Sequence, residues 1–293
     1  MSYGWSLQAL YGWLGISRQA VSAGLKRAER RQQDKAHTLK LAHQIQQRTG
    51  SRGARSLYWA DPQAFPFGRD RTEQLLLAAG FGRPKAPTSF TRTGRYALAD
   101  LTQGLVLSGP NQLWQTDITY VWCAKRYYYL SFILDVFSRK IVAWRLSTSL
   151  DSANQQSLLQ AAANSVPKAQ RQGLIIHTDR GTQYGKAYQQ LAAKLDMRCS
   201  MAHYSWNNAF IERLHRTFKE LYIYPQRPTS LQMLAGCIKK GVYKYNTHRP
   251  HGCLPGRRSP NAFLTWWIQQ ADPKAYEYKL WSELTHISPL TNN

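Results

Sequence analysis

The sequence predicts two architectures in one chain: an all-α N-terminal region with helix-turn-helix spacing, then from about residue 111 an α/β domain on a mixed five-stranded sheet. Three observations carry this. Residues 1–85 hold apolar side chains at helical spacing between glycine punctuation. Residues 111–147 switch to runs of β-branched and aromatic residues joined by short turns. After residue 150, helical and strand patterns alternate.

Taken in order, "SLQALYGWLGISRQAVSAGLKRAERRQQ" predicts a helix, a tight turn at Gly15 and a second helix capped by the Ser17 hydroxyl. Leu7, Leu10, Leu14 and Ile16 would form a small core, leaving Arg18, Gln19, Ser22, Lys26 and Arg27 for a DNA groove. A plain pair of packed helices fits this segment nearly as well. A second helical unit, "LKLAHQIQQRTGSRGARSLYWA" and "RDRTEQLLLAAGFG", adds Arg69 and Arg71 as DNA-contact candidates, with Leu75, Leu76 and Ala79 facing inward. The expected divisions are 1–34 and 35–85 for the two helical units, 86–110 for a polar, proline-containing linker, 111–225 for the α/β core and 226–293 for a basic helical extension.

Within the core, "QLWQTDITYVW", "RYYYLSFILDVFS" and "RKIVAWRLS" read as three strands. The helix "SANQQSLLQAAANSV", the strand "GLIIHTD", the helix "KAYQQLAAKLD", the strand "MRCSMA" and the long helix "NNAFIERLHRTFKELYI" follow. The order βββαβαβα belongs to a mixed sheet with helices on its faces.

Charge narrows the partner. Lys and Arg number 39 against 16 Asp and Glu, a net +23 with pI near 10.1, which points to a polyanion and first to nucleic acid. The excess is spread as +10 over residues 1–100, +7 over 101–225 and +6 over 226–293, so it describes an extended footprint rather than one basic tail. No stretch approaches the ~18 uninterrupted apolar residues of a membrane span, and the N-terminus has no cationic segment ahead of its apolar residues, so a cytoplasmic protein is expected. The four cysteines form no CxxC pair and are expected to be reduced.

In so basic a chain the acids stand out. Asp117 lies among apolar and aromatic residues of the first core strand, where a carboxylate is costly unless paired. Asp179 ends the strand "GLIIHTD", where Gly181 two residues on also fits an ordinary turn. Glu212 begins the long helix, sharing a face with Arg216 and Lys219, which would either present an acid to metal and two cations to DNA or form a surface ion pair. Three carboxylates from different elements suit Mg²⁺, which takes hard oxygen ligands.

The segments "LWQTDITYV", "YYLSFILDVFSRKIVAW", "HTDRGTQY", "NNAFIERLHRTFKEL" and "YNTHRPHGCLPGRRSP", in that order over residues 111 to about 263, resemble the OrfB-type insertion-sequence transposases of the DDE retroviral-integrase-like superfamily. The N-terminal segments resemble that family's DNA-binding region more loosely. The resemblance implies a ribonuclease-H-like fold, with Asp117, Asp179 and Glu212 as the catalytic and metal-holding carboxylates for two Mg²⁺ ions, Mn²⁺ being able to substitute. It also implies double-stranded DNA partners, the element's terminal inverted repeats and the target. The working form would be a dimer or higher oligomer that pairs two ends, in a bacterial cytoplasm and on the nucleoid when DNA-bound. Between Asp179 and Glu212 lie 32 residues, about three fewer than is usual in the family, which shortens a loop around "SMAHYSWNNAF".

Neighbouring candidates are assigned other roles. Asp135 is expected to be structural, Glu220 lies two helical turns beyond Glu212, and His248, His251 and Cys253 lack a fourth zinc ligand at sensible spacing. Two other functions compete: a helix-turn-helix regulator without catalysis, and a ribonuclease-H-like nuclease that would not need tandem N-terminal DNA-binding units.

Overall fold

The computed structural model describes residues 11–13, 15–50, 53–82, 98–202, 208–270 and 276–280. The chain forms two compact units, residues 1–82 and 83–293.

In the first unit, Gly15 takes a left-handed turn (φ 63°) and the Ser17 hydroxyl accepts the Ala20 N–H at 3.0 Å, as expected of an N-cap. From there α1 runs unbroken over Arg18–Thr49 and stops at Gly50 (φ 71°), whose N–H donates to the Gln46 carbonyl. This single helix crosses the boundary expected after residue 34. The segment "RRQQDKAHTLK" has neither glycine nor proline to stop it, so what changes there is burial rather than conformation. Thr38, Ala42, Ile45 and Thr49 pack inward, whereas Leu25 is 67% exposed. Against expectation Ile16 is exposed, while Leu7, Leu10 and Leu14 lie outside the described residues. Helices α2 (Ala54–Ala60) and α3 (Arg69–Ala78) close a small core of Ala42, Ile45, Leu57, Phe65, Leu76 and Phe81. Leu76 is buried as predicted, Leu75 only partly, and Ala79 is exposed.

The second unit begins with β1 (Val106–Leu107), which pairs with the C-terminal β7 (Tyr278–Lys279). Its main sheet has the order β4-β3-β2-β5-β6, formed by β2 (Leu113–Cys123), β3 (Arg126–Asp135), β4 (Ile141–Ser147), β5 (Ile175–Thr178) and β6 (Arg198–Met201). β2, β3 and β4 are antiparallel neighbours, and β5 and β6 run parallel to β2. This is the mixed five-stranded sheet of the ribonuclease-H-like fold. The β2–β3 hairpin turns on Ala124 and Lys125, both at positive φ, the geometry of a two-residue hairpin loop.

Period-2 alternation sends the sheet's two faces into different cores. On one face Trp114, Ile133 and Ile176 pack under α4 (Ser152–Asn164) and α5 (Lys186–Lys194). On the other, Val121, Leu130 and Phe132 meet Ile211, Leu214 and Phe218 of α6 (Ala209–Phe218) and Ile238 of α7 (Leu231–Thr247). The predicted apolar stripe of the long helix is therefore real, although after Phe218 it continues as a π-helical turn, Lys219–Ile223.

Residues 98–107, expected in a linker, are packed. Leu101, Leu105 and Leu107 share a core with Phe137 of the sheet and Phe263 of α8 (Pro260–Ile268), and the Leu101 N–H donates to the Ser200 hydroxyl of β6. The segment after residue 225 belongs to the same unit. The Asn246 side chain both accepts the Ile141 N–H and donates to the Ile141 carbonyl, each at 2.9 Å, fastening α7 to the start of β4. No described helix is long and apolar enough to cross a membrane.

Candidate active site

The parallel register of β2 and β5 aligns Gln115 with His177. Continued by two residues, it sets Asp179 level with Asp117 on the neighbouring strand. The third acid is delivered by a different contact: the buried Gln115 side chain accepts the Ile211 N–H at 3.3 Å, pinning the first turn of α6, which carries Glu212, to β2 two residues before Asp117.

Each carboxylate has a local support. Asp117 accepts the Ile118 N–H at 2.7 Å, and Asp179 accepts the Gly181 N–H at 3.0 Å. A Cβ on Gly181 would come within 2.9 Å of the Asp179 carboxylate oxygen and 2.6 Å of Gln183 Oε1, so the close turn requires glycine. The turn reading of Asp179 and the ligand reading are thus compatible.

The electrostatics couple the three. Burial holds the Asp117 carboxyl well above the ordinary carboxylate range, and the charges of Asp179 and then Glu212 push it further, against the Ile118 N–H and Lys219. Burial also raises Asp179, opposed by the Gly181 N–H, and raises Glu212, opposed by Arg216. Lys219 is lowered by burial and held up by Asp117, so this lysine faces the acids, whereas Arg216 is exposed. Tyr184, buried beside the pair, is pushed well up by burial and by both aspartates.

Sequence reading missed His215. Its Nε2 lies 3.6 Å from Asp117 Oδ2, yet burial drives the imidazole down to about 3, so the contact is neutral at physiological pH and is not an ion pair. The signal was present: His215 falls four residues after Ile211, on the helix's apolar stripe.

Other candidates separate cleanly. Asp135 is buried and caps the β3–β4 turn, accepting the Asn111 N–H and the Ser138 N–H at 2.9 Å each together with the Ser138 hydroxyl. Glu220 is buried in the π-helical turn. His251 is enclosed and its imidazole driven well down by burial and by Arg249 and Arg139, and its ring packs on Tyr245 at 4.9 Å. His248 packs on Tyr243, and Cys253 is exposed. Among the described residues no three acid, histidine or cysteine side chains are gathered tightly enough, as they stand, to hold an ion. Arg18, Gln19, Ser22, Lys26 and Arg27 are exposed on α1, and Arg69 and Arg71 on α3, where Arg69 Nε donates to Asp70 at 2.8 Å.

Two family models, both described as an integrase core domain, match residues 108–204 and 194–260, together over half of the chain. The chain belongs to the integrase-core family of DDE transposases. Among its relatives, the transposase for insertion sequence element IS904 of Lactococcus lactis is 34% identical over 53% of this chain and 62% of its own length. Transposase InsF of insertion sequence IS3A from Escherichia coli is 29% identical over 69% of this chain and 72% of its own. The integrase-core chain thus spans less than two thirds of the first relative. Solved structures similar to it include the HTLV-2 integrase catalytic core in complex with magnesium, at 21% identity, 53% and 96% coverage and TM-score 0.42. A simian T-cell lymphotropic virus intasome matches at 18% identity, 68% and 67% coverage and TM-score 0.45.

Proposed function

We propose that this chain is a DNA transposase that binds insertion-sequence ends and catalyses their Mg²⁺-dependent cleavage and strand transfer. The observation that carries the reading is the convergence of Asp117, Asp179 and Glu212 through the β2–β5 register and the Gln115–Ile211 hydrogen bond.

Like charges that raise one another, on carboxylates each given a single neighbouring N–H above, suit a hard divalent cation. Asp117, Asp179 and Glu212 would hold two Mg²⁺ ions, replaceable by Mn²⁺, which when bound supply positive charge for an in-line displacement at phosphorus. The chain's own residues do the rest. Gln115 fixes the approach of the helix bearing Glu212, and neutral His215 fills the space behind Asp117 without competing for its charge. Lys219 and Arg216 offer cations to the phosphates on either side of the reacting one. No covalent link to the protein is needed. End recognition falls to the exposed side chains Arg18, Gln19, Ser22, Lys26 and Arg27 of α1 and Arg69 and Arg71 of α3, and two ends would be paired by a dimer or higher oligomer.

The test is a labelled duplex carrying the inverted repeats that flank the gene, incubated with the protein and Mg²⁺. Nicking at the repeat boundary followed by joining of the new 3′-hydroxyl to a second duplex is expected. Specific binding without either reaction would favour a regulator, and cleavage of RNA–DNA hybrids alone a nuclease.

A further inference from the structure

One face of the β2–β3 hairpin carries a patch of aromatic rings that neither core uses. α4 covers this face as far as Ser131, whose hydroxyl accepts the Gln155 amide at 2.9 Å, and the helix begins at Ser152. Beyond that point come Tyr129 opposite Tyr120 and Tyr127 opposite Trp122. Tyr120 is 36%, Trp122 57% and Tyr127 54% exposed. The rings meet edge-on, Tyr120 on Tyr129 at 5.2 Å and 74° and Trp122 on Tyr127 at 4.8 Å and 67°, so each holds its neighbour upright.

The patch is continuous with the acid corner. Tyr120 is three residues along β2 from Asp117, and its phenol is raised by burial, then by Tyr129, then by Asp117 and Asp179. It is framed by cations: exposed Lys125 at the hairpin turn, and exposed Arg145 on β4 opposite Ser131. Duplex DNA hides its base faces within its own stack and is gripped by many cations along its backbone. Exposed rings flanked by two cations suit instead a strand whose bases are unpaired, since every base offers a π-face to an aromatic side chain.

We propose that Tyr120, Trp122, Tyr127 and Tyr129 form a stacking platform for unpaired bases of the DNA strand that passes the acid corner. The proposal rests on the reading of that corner as a DNA-processing site. It assigns to this surface the bases next to the reacting phosphate, which must leave the duplex for the strand to lie along the sheet.

The full-length protein, without divalent metal and at fixed salt, is titrated by fluorescence anisotropy with a blunt duplex and with the same duplex carrying a short unpaired tail containing 2-aminopurine. The wild type is expected to bind the tailed duplex roughly tenfold more tightly and to quench the 2-aminopurine. The Trp122→Ala/Tyr127→Ala double variant should lose that preference and the quenching, with blunt-duplex affinity and thermal melting unchanged, and Trp122→Phe should retain both. A wild type indifferent to the tail, or a double variant that still prefers it, overturns the platform. So does a double variant whose sedimentation changes while its tail preference does not, which would make the face a protein contact. Cleavage with Mg²⁺ is scored separately: tail preference without cleavage in the wild type removes the transposase reading and leaves the platform.

Discussion

Asp117 and Asp135 lie on the two paired strands β2 and β3, both where a carboxylate is expensive, and they are held there by opposite means. Asp135 is enclosed by donors: two backbone N–H groups and a hydroxyl satisfy both its oxygens, and in return it fixes the β3–β4 turn and the approach of residue 111 to the sheet. Asp117 accepts the N–H of its own neighbour and otherwise faces Asp179, Glu212 and a neutral imidazole. Burial raises both carboxyls. What separates a structural acid from a candidate ligand is therefore not burial but whether its lone pairs are already spoken for and whether its nearest charges have its own sign.

The largest effect expected of this contrast is on activity. Asp117→Asn, Asp179→Asn and Glu212→Gln should each lower Mg²⁺-dependent strand transfer at least ~10³-fold while leaving gel-shift binding of the end duplex intact. Because the three act as one unit, double variants should be little worse than single ones. Wild-type rates in Glu212→Gln beside an inactive Glu220→Gln would move the third acid one stretch along the helix.

Asp135→Asn should do the reverse. It turns an acceptor toward donors into an amide N–H₂ and should cost about 1–3 kcal/mol of stability in urea unfolding, with per-molecule activity of the folded fraction near wild type. An Asp135→Asn protein as stable as the wild type would end the distinction drawn between the two aspartates.

A smaller effect concerns pH. Folding raises the Asp117 and Asp179 carboxyls, so the folded chain binds these protons more tightly than the unfolded one. Their contribution favours folding below the unfolded carboxylate range, about pH 4, and is lost as pH rises through the higher folded values. In metal-free buffer Asp117→Asn, which has no proton to lose there, should melt above the wild type at neutral pH, the gap closing toward pH 4. A gap that widens in acid would contradict the assigned repulsion.

The smallest effect is at the rim. Arg216 and Glu212 sit one turn apart on an exposed face, so Arg216→Ala should change thermal stability by less than ~0.5 kcal/mol. Its effect should appear instead in the salt dependence of end binding, measured by gel shift across a salt series.

The sequence made the sheet legible because its strands alternate or run apolar between clear turns, and Asp117 legible because a lone carboxylate interrupts such a strand. The level placement of Asp117 and Asp179 was not legible, since it depends on which strands pair in parallel. Nor was the anchor from Gln115 to Ile211, a contact between residues 96 apart. The unbroken α1 was misdivided because its composition changes at residue 34 while its backbone does not. Residues 98–107 were taken for a linker because polar neighbours dilute Leu101, Leu105 and Leu107, which only the C-terminal helix and strand bring into a core.

The two outermost strands of the sheet carry a consequence for how copies of this chain can meet. An unpaired outer strand is a template onto which another chain adds by backbone hydrogen bonding. Here β4 has its first residue saturated by the Asn246 amide, which imitates a neighbouring strand's peptide group. On the far side, β6 donates the Met201 N–H to the Ala99 carbonyl and takes the Leu101 N–H on Ser200. At these points the fold has filled both openings from within its own sequence. Copies brought together on DNA are thereby steered away from merging their sheets into a common ribbon, and toward contacts that can be made and released as the DNA ends come and go.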